Sequence, residues 1–173
     1  KNPYISYLID KSILIGYPNK SYKLDRYITR AEIAAILFRI NGLKVEKSLS
    51  QSYKDVNKRY WAHDVIEAIT NAGLVEEYQS KYFMPAQKVN ASQTIELIKS
   101  LTQSSKIVTK PEDYKNIKLD NWIELLNKDP DRLITRGEFC EGIAIILKTE
   151  EYIKNFDIEK YETLGSDFTN PKY

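Results

Sequence analysis

The sequence predicts an all-α protein of three helix–loop–helix units, and three observations carry that reading. Thr29 followed by Glu32 makes a capping box, and behind it Ile33, Ile36, Leu37 and Ile40 recur at helical spacing. The arrangement then returns. Thr135-Arg136-Gly137-Glu138 opens a helix carrying Phe139, Ile143, Ile146 and Leu147, and Asn90 with Gln93 keeps a cap of the same kind. An offset of 61 residues, Ile28 onto Val89, aligns the first two copies without a gap between Asn2 and Leu101. It places Ile5 on Ile66, Leu8 on Ile69, Tyr17 on Tyr78, Tyr22 on Phe83 and Trp61 on Trp122. The units run approximately 1–48, 49–110 and 111–173 of a single 173-residue domain. One helix pair is too small to bury its apolar stripe, so the three should pack around a shared axis in a pseudo-threefold arrangement.

Taken in order, Tyr4 to Lys11 forms a first short helix with Ile5, Leu8 and Ile9 inward. Gly16-Tyr17-Pro18-Asn19 suits a tight turn, Tyr22 and Leu24 plug the loop, and the Thr29 helix runs to Asn41-Gly42, a C-terminal stop. A polar connector leads to Tyr53-Lys54-Asp55. The second unit opens a helix at Trp61 and closes it near Gly73, and its second helix follows Asn90 with Ile95, Leu97, Ile98 and Leu101. The third unit departs from the pattern. From Trp to the cap position is 29 residues in unit two (Trp61 to Asn90) but 13 in unit three (Trp122 to Thr135). Sixteen loop residues, the Gly-Tyr turn among them, have no counterpart there. A polar helix is expected around Glu150–Tyr161, and Phe168-x-Asn170 repeats Tyr53-x-Asp55. That tail either closes the ring against Tyr4 and Leu8 or begins a further segment.

Composition narrows the function. A net charge of +2, with charges evenly mixed at 29%, gives no electrostatic case for nucleic acid or an anionic membrane. No apolar run approaches the ~18 residues that insertion into a bilayer requires. Opening at Lys1 inside a motif, the chain reads as part of something longer. His63 is the single histidine and Cys140 the single cysteine, so neither a zinc set nor a Cys–His or Ser–His pair can be assembled. His63 falls on the exposed side of its helix and Cys140 in the core. Asp55-Val-Asn57 begins like a calcium loop but fails, because Tyr60 stands where glycine is required. Carboxylates are plentiful, yet no two are singled out as a hydrolytic pair. The reading is therefore non-catalytic, with no metal and no cofactor. Thirteen tyrosines offer stacking surface for saccharide or protein.

Arg30 and Arg136 are not explained by capping. A cation at the first helical position opposes the helix dipole by a few tenths to ~1 kcal/mol. Guanidinium and helix-start amides together would seat an anion, and the alternative is a solvated Arg whose stem packs on a neighbour. Trp61 and Trp122 are core anchors or half-exposed ligand platforms. Asp55 either caps the helix near Trp61 or pairs with Arg30 across a unit boundary.

These pieces, in this order, resemble the S-layer homology family, usually three tandem motifs. Its pattern runs F-x-D-v, W-A, G-y-p-d-G-x-F-x-P, then T-R-A-E. Gly16-Tyr17-Pro18-Asn19-Lys20-Ser21-Tyr22 and Thr29-Arg30-Ala31-Glu32 carry it in unit one. Tyr53-Lys54-Asp55-Val56, Trp61-Ala62 and Tyr82-Phe83-Met84-Pro85 carry it in unit two, whose Arg is replaced by Ala91, and Tyr114, Trp122 and Thr135-Arg136-Gly137-Glu138 in unit three. The resemblance implies an extracellular module that tethers a protein to the bacterial cell envelope. Its partner would be a cell-wall polysaccharide, typically bearing pyruvate ketals, and possible further partners are other copies of a surface-layer protein. On that reading Arg30 or Arg136 meets the acidic ketal, while Gly16, Tyr17, Asp55 and Trp61 shape the groove between units. The boundary of units one and two, with Arg30 beside an intact Gly-Tyr turn, is the expected live groove. A protein–protein assembly module with decayed saccharide sites is the alternative, favoured by Ala91 and by the shortened loop of unit three.

Overall fold

The computed structural model describes residues 2–45, 51–75, 80–104 and 117–154. Six helices follow one another: α1 (Pro3–Asp10), α2 (Arg30–Ile40), α3 (His63–Asn71), α4 (Ala91–Ser104), α5 (Ile117–Asn127) and α6 (Arg136–Lys154). Among the described residues there is no sheet, so the protein is all-α. None of their helices is long and apolar enough to cross a membrane.

The helix starts follow from local chemistry. Asn2 caps α1, with Pro3 at the first helical position, where its missing N–H costs nothing. Thr29 Oγ1 accepts the Glu32 N–H (3.3 Å) and a Glu32 carboxylate oxygen accepts the Thr29 N–H (2.9 Å). Asn90 and Gln93 exchange the same two bonds at 2.9 and 3.1 Å, and Thr135 and Glu138 at 3.2 and 2.9 Å. α2 and α3 both stop at a glycine just past the cap, Gly42 (φ 59°) and Gly73 (φ 70°), where a left-handed residue is needed.

The three segments that precede α2, α4 and α6 meet at a hub. Isolated antiparallel bridges join Tyr27 to Thr135, Thr29 to Lys88 and Asn90 to Leu133, closing a triangle. Ile28, Val89 and Ile134 fill its centre, at 0%, 4% and 0% exposure. Full burial of each such side chain contributes roughly 1.5–3 kcal/mol.

Around the hub the backbone is wired in a cycle. The first two amides of α2, at Arg30 and Ala31, donate to the carbonyls of Gln87 and Pro85 in unit two (both 3.0 Å). Those of α4, at Ala91 and Ser92, donate to Arg132 and Pro130 in unit three (both 2.9 Å). Those of α6, at Arg136 and Gly137, donate to Arg26 (2.7 Å) and Leu24 (2.8 Å) in unit one. Helix packing repeats the cycle: α2 lies on α3, α4 on α5 and α6 on α1. The ring is thus closed by α6 and α1. The proposed closure by Phe168 lies outside the described residues. α6 is unbroken to Lys154, so the polar helix expected to begin at Glu150 is, up to that residue, a continuation of α6.

One buried residue corrects the sequence reading. His63, expected at the surface, is 2% exposed, and Glu67 one turn later is 1% exposed. They lie one turn apart on one face of α3, and Ser52 at the end of the connector reaches Glu67. Ser52 donates to the Glu67 carboxylate through its N–H (2.8 Å) and its hydroxyl (2.7 Å). Cys140 is buried, as expected.

Candidate functional site

The cyclic wiring decides which loop meets which arginine. Because α6 docks its first turn on residues 24–26, the Gly16-Tyr17 turn comes to Arg136 rather than to Arg30. The Arg136 guanidinium lies 5.2 Å from the Tyr17 ring centroid. It donates from Nη2 to the Ile15 carbonyl (3.1 Å), and Nη1 stands 3.7 Å from Glu32 Oε1. Tyr17 donates its phenol O–H to that same carboxylate oxygen. The turn is tight for a local reason: Tyr17 N–H donates to the Ser21 carbonyl (2.8 Å), and a β-carbon at Gly16 would lie 3.3 Å from that oxygen.

Two more cations, Lys23 and Arg26, reach the same ring. Lys23 Nζ is 4.4 Å and the Arg26 guanidinium 5.7 Å from the Tyr17 centroid. Arg39 stands behind them, donating to the Ile13 carbonyl (3.2 Å), and burial together with the charge of Arg136 lowers its pKa. Burial pushes the Glu32 carboxyl up, but hydrogen bonds from Tyr17 and Thr29 and the charge of Arg136 overcome this and hold it below the usual carboxylate value. Burial, then the bond to Glu32 and its charge, raise the Tyr17 phenol against the opposing pull of Arg136 and Arg26. The result is a cation-rich groove in which Glu32 is already engaged.

Arg30 has a different setting. Its guanidinium lies 5.0 Å from the Phe83 ring of unit two. It borders a cleft lined by Ile33, Ala34, Leu37, Ile69, Val75, Phe83 and Leu97. Sequence order had grouped Arg30 with Gly16 and Tyr17 and had left Arg136 without a loop. The ring reverses both assignments. The expected anion seat of helix-start amides also changes. At α2 and α6 the first two amides are taken by loop carbonyls and the third by the capping threonine, so side chains alone face a ligand.

Asp55 does not cap α3, and its carboxylate is held by other groups. Its two oxygens accept the N–H groups of Phe83 (2.8 Å) and Met84 (2.7 Å), pinning the unit-two loop while Tyr53 packs on Phe83 at 5.2 Å. Trp61 is 61% exposed, two residues before α3, with its ring against Tyr60. Trp122 is core. It is 7% exposed and covers Gly142, where a β-carbon would lie 2.6 Å from the indole. The shared offset misleads here, since Trp122 sits in mid-helix and Trp61 ahead of its helix. Lys23 and Arg26 were missed by the sequence reading. Their one signal was proximity to the Gly-Tyr turn.

A closed ring of helix pairs with charged side chains at its junctions is the architecture of a repeat-built interaction module. This chain matches the sequence pattern of the S-layer homology domain at residues 1–34 and 52–90. It is 28% identical to the S-layer protein EA1 of Bacillus anthracis, over 92% of this chain and 20% of that protein. It is also 28% identical to an S-layer protein of Bacillus licheniformis, over 88% of this chain and 19% of the relative. A cellulosome-anchoring protein of Acetivibrio thermocellus is 20% identical, over 68% of this chain and 27% of its own length. The chain thus spans about a fifth of the two S-layer relatives. Family and relatives support a cell-surface or cell-wall location and cell-wall anchoring, and point to a non-catalytic module.

Proposed function

We propose that this chain anchors the protein that carries it by binding an acidic cell-wall polysaccharide, and that the groove between units three and one is the main binding site. The observation that carries this reading is the convergence of Arg136, Lys23 and Arg26 on one tyrosine ring, beside a carboxylate already bonded to Tyr17 and Thr29. Such a groove suits a saccharide bearing a carboxylate, a pyruvate ketal in particular. The guanidinium and lysine receive the acid, and the tyrosine offers an aromatic edge to the sugar ring.

Sedimentation with purified cell walls tests this. The chain should pellet with native walls and stay in solution once hydrofluoric acid has stripped the wall-linked polysaccharide. Equal pelleting before and after stripping would refute it. That result would favour the second reading, an assembly module binding other copies of a surface protein. The specific support for that reading is Ala91 in the arginine position and the shortened loop of unit three.

A further inference from the structure

The junctions of units three and one and of units one and two share a backbone but not their charge. Lys23 and Met84 occupy equivalent places 61 residues apart, and both take the left-handed conformation, at φ 46° and 56°. Arg26 and Gln87 are equivalent as well: the carbonyl of each accepts the first amide of a motif helix, Arg26 from Arg136 and Gln87 from Arg30. Methionine and glutamine therefore perform the backbone tasks of these positions in unit two. The fold does not require Lys23 or Arg26 to be basic. Both nevertheless are, and both stand over the ring that Arg136 covers. Lys23 is half-buried and Arg26 exposed, so their charges face whatever enters from solvent.

The three cations differ in depth, Arg136 being buried, Lys23 half-buried and Arg26 exposed. Arg136 is held at the inner end by the Ile15 carbonyl and Glu32, and Lys23 and Arg26 lie on the approach. We infer that the groove between units three and one takes a ligand carrying two separate acidic groups, one directed to Arg136 and the second to the Lys23–Arg26 pair. The groove between units one and two, with Met84 and Gln87 in those places, does not distinguish such a ligand from a singly acidic one. This rests on the saccharide-binding reading above and deepens it: the ligand class is a polysaccharide segment with an acid on each of two neighbouring sugars.

Calorimetric titration with two synthetic disaccharides tests the inference. Both carry a pyruvate ketal on the terminal hexose, and the second sugar is glucose in one and glucuronic acid in the other. The intact chain should prefer the doubly acidic disaccharide by roughly three- to tenfold, the range of one or two solvent-screened ion pairs. Its affinity should also fall more steeply with salt. In Lys23→Met/Arg26→Gln the preference should shrink to about onefold. Both substitutions install the residues unit two already uses, so the melting temperature checks that the ring persists. Equal affinity of the intact chain for the two disaccharides would overturn the inference and leave saccharide binding standing. A preference that survives in the folded double variant would also overturn it. Binding of neither disaccharide would remove the saccharide reading and this inference together. The comparison on the intact chain stands even if the variant fails to fold.

Discussion

Replacing Arg136 by alanine should weaken wall binding far more than it weakens the fold. The substitution removes a 3.1 Å bond to the Ile15 carbonyl, a loose 3.7 Å pairing with Glu32 and the cation beside Tyr17. Glu32 keeps its bonds from Tyr17 and Thr29, so it is not stranded. The lost bond is worth about 1 kcal/mol, and part of that is returned because a buried guanidinium whose Nε lacks an acceptor no longer has to be desolvated. The net stability loss should therefore be ~1 kcal/mol or less, a few degrees of melting temperature. Loss of a charge-assisted contact to a bound acid is ~1.5–3 kcal/mol, roughly ten- to a hundredfold in affinity. Arg30→Ala should cost about threefold or less, since among the described residues lining the cleft beside Phe83 there is no further cation. Titration of labelled chain against purified walls, with melting curves alongside, reads both quantities. Wall affinity of Arg136→Ala within about twofold of the parent, or an equal loss from Arg30→Ala, would refute the assignment.

Gly142→Ala should destabilise the ring even though alanine is the better helix former by ~1 kcal/mol. The new methyl group would lie 2.6 Å from the Trp122 indole, and overpacking of this kind costs ~1–3 kcal/mol, so a lower urea midpoint is expected and an unchanged one would count against Trp122 as core. Burial pushes the Cys140 thiol up to about 11, so a disulfide reagent at pH 8 should leave the native chain unmodified and label one thiol per chain in guanidinium; fast native labelling would contradict its burial. Glu32→Gln keeps an acceptor for the cap, as Gln93 shows, but loses the charge. Because the folded carboxyl lies below its usual 4.5, its contribution is present above that value and fades as pH falls through the folded pKa. The stability gap between parent and variant, about 1 kcal/mol at pH 7, should then close in acid; a gap that grows in acid would contradict the lowered pKa.

The helices were legible because caps and apolar spacing are local. Thr29, Asn90 and Thr135 each bond to the residue three places on, and no tertiary information is needed to read that. The repeat was legible because its offset recurs in the wiring itself, Leu24 and Arg26 doing for α6 what Pro85 and Gln87 do for α2. The binding groove was not, because its members come from opposite ends of the chain. Ile15 and Arg136 are 121 residues apart, and nothing local says that a motif helix docks on the loop of the next unit rather than its own. His63 was misjudged for a related reason. A helical wheel cannot show that a polar residue is covered by chain from elsewhere in the fold.

The same wiring explains how motif residues can be lost without losing the fold. At Ala91 the arginine is gone, yet the Ala91 N–H still reaches the Arg132 carbonyl at 2.9 Å, the bond that Arg30 and Arg136 make at their own junctions. Unit three lacks sixteen loop residues, yet Pro130 and Arg132 still present the two carbonyls α4 needs, because those positions are counted back from Ile134 at the hub rather than forward from α5. The ring is held by backbone amides, capping side chains and three apolar residues at its centre. No arginine side chain is among them. Substitutions at Thr29, Asn90, Thr135 or the hub should therefore appear in stability. Substitutions at Lys23, Arg26 and Arg136 should appear chiefly in binding, and the junction at Ala91 should contribute to the first and not to the second.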